Sequence, residues 1–120
     1  MRKIKFRARV IGGDLDGKWV YGDLVHDCDG HTFINIEGYS GGGTGVHYRH
    51  MVDPTTVCQF TGLLDKNAKE IFDGDVLQSK DRRIIVEWDS YECGWNIVEY
   101  GIHQYEIIGD IFNNPELKQS

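Results

Sequence analysis

Along the first ten residues, Ile4, Phe6, Ala8 and Val10 alternate with Lys3, Lys5, Arg7 and Arg9. A period of two buries one face of an extended chain and leaves the other to solvent, so this segment predicts a strand with one apolar and one basic face. Turn formers fill Gly12 to Lys18, and Trp19 to Val25 resumes the extended pattern, which predicts a hairpin. Asp29-Gly30 suits a primed two-residue turn. Beyond it, Thr32 to Ile36 supplies a third strand with Ile34 and Ile36 on one face.

The glycine-rich run Gly38 to Gly45 has too little side chain to pack and is expected to be a mobile loop. Asp53 and Pro54 stand where an N-cap and a first helical residue belong, but Thr55, Thr56 and Val57 are poor helix formers, so one helical or 3₁₀ turn is expected. Val57 to Leu63 reads as extended again. Further strands are expected near Val76 to Gln78, Ile84 to Trp88, Trp95 to Glu99 and Tyr105 to Phe112, separated by KDRR, DSYECG and YGIHQ. Pro115 is expected to end strand pairing, with Leu117 as an anchor and Lys118 to Ser120 frayed.

The expected fold is mainly β, built of short antiparallel strands. An N-terminal β subdomain (1–62) carries the loop 38–45, and a C-terminal subdomain (63–120) forms a small barrel. Ile71, Val76, Ile85, Trp95, Ile97, Ile107 and Ile111 are its candidate interior. The N-terminal meander has few core positions of its own and is expected to pack on the barrel as one compact unit, or on another subunit.

Composition supports a folded β protein: 40% of the 120 residues are hydrophobic, with three Trp, six Tyr and five Phe, and fifteen glycines stand against two prolines. The net charge of −6 argues against bulk attraction to nucleic acid or an anionic membrane. The basic N-terminus lacks the apolar run that a signal peptide needs, and no later segment approaches membrane-spanning length. A soluble, cytoplasmic protein without a membrane partner is expected. Cys28, Cys58 and Cys93 are widely and irregularly spaced, which predicts reduced thiols.

The stretch LLDKNAKEIFDGDVL, Leu63 to Leu77, starts as a calcium loop starts. With Asp65 at position one, Asn67 fits position three, but Lys69 sits at five, Glu70 at six and Val76 at twelve, where oxygen ligands, Gly and Glu are required. The stretch reads instead as two polar turns, since Asp and Asn bond their own backbone and glycine permits positive φ. His26, Cys28, His31, His47 and His50 are weak candidate metal ligands, but H-x-C-x₂-H matches no common zinc spacing, and a polar hairpin tip with a neighbouring exposed loop is the favoured account, so no metal is expected. GGGTG lacks the G-K-[ST] of a phosphate loop. No cysteine, histidine or carboxylate spacing isolates a catalytic set, so no enzyme activity and no cofactor are expected. The cations Lys3, Lys5, Arg7 and Arg9, with Trp19 and Tyr21 on the next strand, carry an alternative reading as a single-stranded nucleic-acid surface. Strand-edge protection against aggregation explains the same residues, and the net charge disfavours nucleic acid.

MRKIKFRARV, WVYGDLV, VDPTTVCQFTGLLDKNAKEIFDGDVL and YEIIGDIFNNPEL, in this order and spacing, resemble the YopX family of small phage and prophage proteins. The resemblance rests on Gln59, Phe60, Thr61, Gly62, Leu63, Asp65, Asn67, Gly74, Asp75, Gly109, Asn114 and Pro115, which it marks as structural. It leaves His26 to His50 without a family motif. It implies an SH3-like barrel component, a phage or prophage origin and self-association, and it implies no catalytic residue. The leading expectation is a non-enzymatic, oligomeric interaction module that binds a host or phage macromolecule. A nucleic-acid-binding module is the alternative, and a His/Cys metal-dependent enzyme is the second.

Overall fold

A computed structural model of the protein describes residues 4–36, 49–97 and 102–118. Lys3, His47, the glycine loop 38–45 and the last two residues fall outside that set. The fold is mainly β, and every strand pair is antiparallel. The chain divides into two compact units, Lys3–Gln59 and Phe60–Ser120.

In the first unit the strands β1 (Phe6–Arg9), β2 (Trp19–His26), β3 (Thr32–Ile36), β4 (Arg49–Met51) and the start of β5 (Cys58–Leu64) lie in the order β4-β3-β2-β1-β5. The register sets Ala8 beside Val20 and Leu24 beside Ile34. One apolar face results, with Ala8, Val10, Val20, Ile34 and Val52 buried and Phe6, Leu24 and Val57 packed against them. The meander expected from the pattern is therefore present, with β4 added. The sequence Arg-His-Met announces no strand, because three residues are too few to show a period and two of them are polar. Pairing to β3, with Met51 opposite Phe33, is what makes it one.

The Asp53-Pro54 signal produces a 3₁₀ turn, Pro54–Thr56. Asp53 Oδ1 accepts from the Thr55 hydroxyl at 2.8 Å and from the Thr55 N–H at 3.0 Å. These two donors, hydroxyl first, hold the Asp53 carboxyl below its ordinary range against the opposing effect of desolvation. Thr56 is a poor helix former used here for its hydroxyl, which donates to the Asp53 carbonyl at 2.7 Å and accepts the Arg9 N–H at 2.9 Å. The turn is thereby tied to β1.

In the second unit the rest of β5 pairs with β6 (Glu70–Phe72). A three-stranded sheet has the order β11-β7-β8, from β7 (Asp75–Gln78), β8 (Arg83–Ile85) and β11 (Glu106–Asp110). A hairpin joins β9 (Trp88–Asp89) to β10 (Gly94–Trp95). A closing 3₁₀ turn, Pro115–Lys118, follows the last strand as Pro115 suggested. The core is Ile71, Leu77, Val86, Ile97 and Ile102, with Leu63, Ile84, Trp95, Tyr105 and Ile107 around it.

Two expectations are corrected here. The barrel does not close among the described residues: β8 and β11 are the two edges of an open sheet. Closure requires continuous strands with a consistent stagger. Here β11 breaks register between Ile107 and Gly109, and the strand expected over Ile84 to Trp88 splits into β8 and β9. Ile84, rather than Ile85, joins the core. In the apolar run Ile84-Ile85-Val86 periodicity cannot choose a face, and the pairing of Ile84 with Leu77 decides it.

Candidate functional site

The β2–β3 tip holds three of the sequence's metal candidates. Its last strand pair is His26 with Thr32, and three residues, Cys28 to Gly30, form the loop instead of the two expected. Gly30 takes φ +87°, the left-handed position that a three-residue hairpin needs. Asp27 Oδ1 closes the loop by accepting the N–H groups of Asp29 at 3.0 Å and His31 at 2.8 Å. Its Oδ2 lies 3.3 Å from His31 Nδ1. The His31 N–H, opposed by desolvation and then aided by the His31 ring and the Asp29 N–H, lowers the Asp27 pKa.

Ligand atoms of Asp27, Asp29 and His31 lie within 4.8 Å of one another. His31 is thus gathered with two carboxylates that the sequence reading passed over, in a D-x-D-x-H spacing that would have signalled them. His26 and Cys28 stand exposed beside this group without joining it. His50 is on β4 opposite Ile34. The Asp27 carboxylate is engaged in closing its own loop, and a cation there would compete with two backbone donors.

The basic strand is not the open cationic face that its alternation predicts. Arg7 is only 6% exposed. Its Cζ lies 4.6 Å from the centre of the Trp19 ring, and that of Arg9 lies 5.2 Å from the same ring. Lys5 Nζ stands 6.0 Å from the Tyr21 ring. The register sets Arg9 opposite Trp19 and Arg7 opposite Tyr21, so Arg9 meets the Trp19 ring directly and Arg7 reaches it diagonally across β1 and β2. Cation–π contact therefore engages the same aromatic faces that bases would need for stacking.

A third cluster spans the DSYECG segment, which the sequence reading treated as a separator between the strands holding Trp88 and Trp95. In the β9–β10 hairpin, Trp88 and Trp95 are cross-strand partners whose rings meet edge to face at 5.3 Å. Between them Asp89 Oδ1 accepts the N–H groups of Tyr91 at 3.0 Å and Glu92 at 3.2 Å, which fixes the turn, and Cys93 completes it at φ +54°. Tyr91 is 93% exposed and Trp88 50% exposed. Three aromatic residues within eight positions were the legible signal.

The polar residues of the central block have structural tasks. Asp65 is 5% exposed and accepts three backbone N–H groups: Asn67 at 2.8 Å and Lys69 at 2.9 Å on Oδ1, and Ile107 at 3.0 Å on Oδ2. Burial alone would raise its pKa, but these three donors and the Lys69 charge outweigh it, so the carboxyl sits below its ordinary value. Asp75, 2% exposed, accepts the Phe72 N–H at 2.8 Å. Asp110 holds the N–H groups of Phe112 and Asn113, each at 2.9 Å.

The family model for the YopX protein matches residues 5–118. The chain belongs to the YopX family. No curated protein matches it. In this YopX family member, the residues that carried the resemblance fall on the turns and strand junctions just described. Gln59 pairs with Phe6, and Phe60 packs its ring 5.5 Å from that of Phe72. The Thr61 hydroxyl donates to the Ile71 carbonyl at 2.8 Å and accepts the Leu63 N–H at 3.1 Å. Gly62, at φ +90°, lies where β5 and β6 shift register. Gly74, at φ +87°, donates to Val86 and accepts from Ile111 through its backbone. Gly109 leaves room for Asn114, whose side-chain oxygen would collide with any Cβ there and which accepts the Asp110 N–H at 3.3 Å. Pro115 opens the last turn.

Proposed function

We propose that this YopX family member is a phage- or prophage-encoded, non-enzymatic protein of the bacterial cytoplasm. It self-associates and binds a host or phage macromolecule, with the β9–β10 hairpin as its contact element. One observation carries this reading: Tyr91 is held 93% exposed at the tip, beside a half-exposed Trp88. Large aromatic side chains are the residues that most often dominate the energy of protein contacts. A turn whose backbone is fixed by Asp89 presents these with a reduced ordering cost at binding. The family resemblance supports the phage origin, and the buried Arg7 weighs against the nucleic-acid alternative.

Light scattering on purified protein tests the assembly, and capture from infected cells tests the partner. The wild type is expected to scatter as a species heavier than the 13.7 kDa chain. Trp88→Ala and Tyr91→Ser are expected to shift it toward monomer and lose the captured partner. A wild type that stays monomeric at high concentration removes self-association; variants that assemble and capture normally remove the hairpin as contact element.

A further inference from the structure

The charge around the β9–β10 hairpin indicates what its partner must bring. Ser90 to Cys93 lie beyond the last strand pair, Asp89 with Gly94. Tyr91 and Glu92 stand exposed in that turn, and Glu87 and Trp88 stand exposed where the hairpin begins. Asp89 is half-buried and bound to the turn's own N–H groups. No Lys or Arg stands between Arg83 and Lys118, so these carboxylates lie in a stretch of chain without a cation. None of Glu87, Asp89 and Glu92 joins an ion pair among the described residues.

Elsewhere the chain covers aromatic faces with its own cations. Arg7 and Arg9 lie over Trp19, Lys5 over Tyr21 and Arg49 over Phe33. Among the described residues the rings of Trp88 and Tyr91 carry no cation, and Trp88 meets only Trp95. An aromatic ring attracts a cation through the negative face of its quadrupole, and a carboxylate beside it adds a charge-assisted hydrogen bond. The pairing completed within the first unit is thus left half-made at this tip. A guanidinium suits it better than an ammonium, because it is planar, more weakly hydrated, and can stack on a ring while donating in a fork to a carboxylate. The same carboxylates repel phosphates, which disfavours nucleic acid and anionic lipid.

We propose that the β9–β10 hairpin binds an arginine-bearing segment of a protein partner. A guanidinium of the segment lies on the open surface of Tyr91 or Trp88 and donates its N–H groups to Glu92 or Glu87. This rests on the reading of the hairpin as the contact element and names the chemistry of what it contacts.

The test titrates the full-length ¹⁵N-labelled protein with a Gly-Ser-Arg-Gly-Arg-Gly-Ser peptide, its Lys-for-Arg and Glu-for-Arg counterparts, and phosphatidylcholine vesicles. The Arg peptide is expected to shift the Tyr91 and Glu92 amides and the Trp88 indole N–H first. It should bind about threefold or more tightly than the Lys peptide, and weaken about fivefold or more between about 20 and 200 mM salt. The Glu peptide and the vesicles should leave these signals in place. Glu87→Gln with Glu92→Gln should weaken Arg-peptide binding about tenfold, and Tyr91→Ser about threefold. All three positions are exposed, and an otherwise unchanged amide spectrum verifies that the fold holds. No binding at millimolar Arg peptide, equal binding of the Lys or Glu peptide, the same shifts with vesicles, shifts centred away from the hairpin, or undiminished affinity of the Gln variant would each overturn the proposal. Capture from infected cells separates the two readings. If Tyr91→Ser loses the partner while the Gln variant keeps it, the arginine inference alone fails; if Tyr91→Ser captures normally, the hairpin itself is removed as contact element.

Discussion

Asp65 illustrates how this chain uses its carboxylates. A buried anion is costly unless its lone pairs are filled, and three backbone donors from two segments of the second unit fill them. Asp65→Asn, which replaces one acceptor oxygen by an NH₂ group, is expected to cost about 1–3 kcal/mol of stability. Because the folded-state pKa lies below the unfolded one, the contribution is fully present above about pH 5 and fades as pH falls through the folded value. Denaturant unfolding at pH 7 and pH 3 should therefore show a deficit of the variant that shrinks on acidification. An equal deficit at both values would contradict the assignment. In the sequence, Asp65 and Asn67 were legible as turn residues because Asp and Asn bond locally. The third bond, to Ile107, joins residues 42 positions apart and left no local signal.

Among the elements, the segment Arg83 to Asp89 shows most clearly what pairing adds. Its apolar run reads as one strand, yet it is divided at Val86 and Glu87, where a side-chain amide replaces strand bonds. Asn96→Ala removes both side-chain bonds and is expected to cost about 1–2 kcal/mol. Amide exchange at Glu87 should accelerate while that at Val86, bonded to Asp75, holds; equal acceleration would mean the whole sheet opened. Within the hairpin 88–95 only the DSYECG segment was read as a separator, because it is rich in turn formers, while Trp88 and Trp95 were given to the flanking strands. Turn chemistry and an aromatic contact element are the same residues here.

For the whole molecule, charge sets the expectation. Among the described residues no helix is long and apolar enough to cross a membrane. Copies that each carry −6 repel one another, so self-association should strengthen several-fold between about 20 and 200 mM salt as the repulsion is screened. Light scattering across a salt series measures it. Assembly that weakens with salt would point to paired opposite charges between copies instead.

The alternation of β1, the Asp53-Pro54 cap and the turn residues of the central block were determined by the sequence itself, because each depends on contacts within a few residues. The family was legible for the same reason, since these local devices occur in a fixed order. Tertiary structure alone decided which isoleucine of the pair 84–85 packs against the core, that the sheet stays open among the described residues, that Arg7 is withdrawn from solvent, and that Asp27 and Asp29 meet His31. Most of these depend on strand register or long-range contact, and the last depends on a loop one residue longer than expected. A one-residue change in either reverses what a side chain faces while leaving local preferences unchanged.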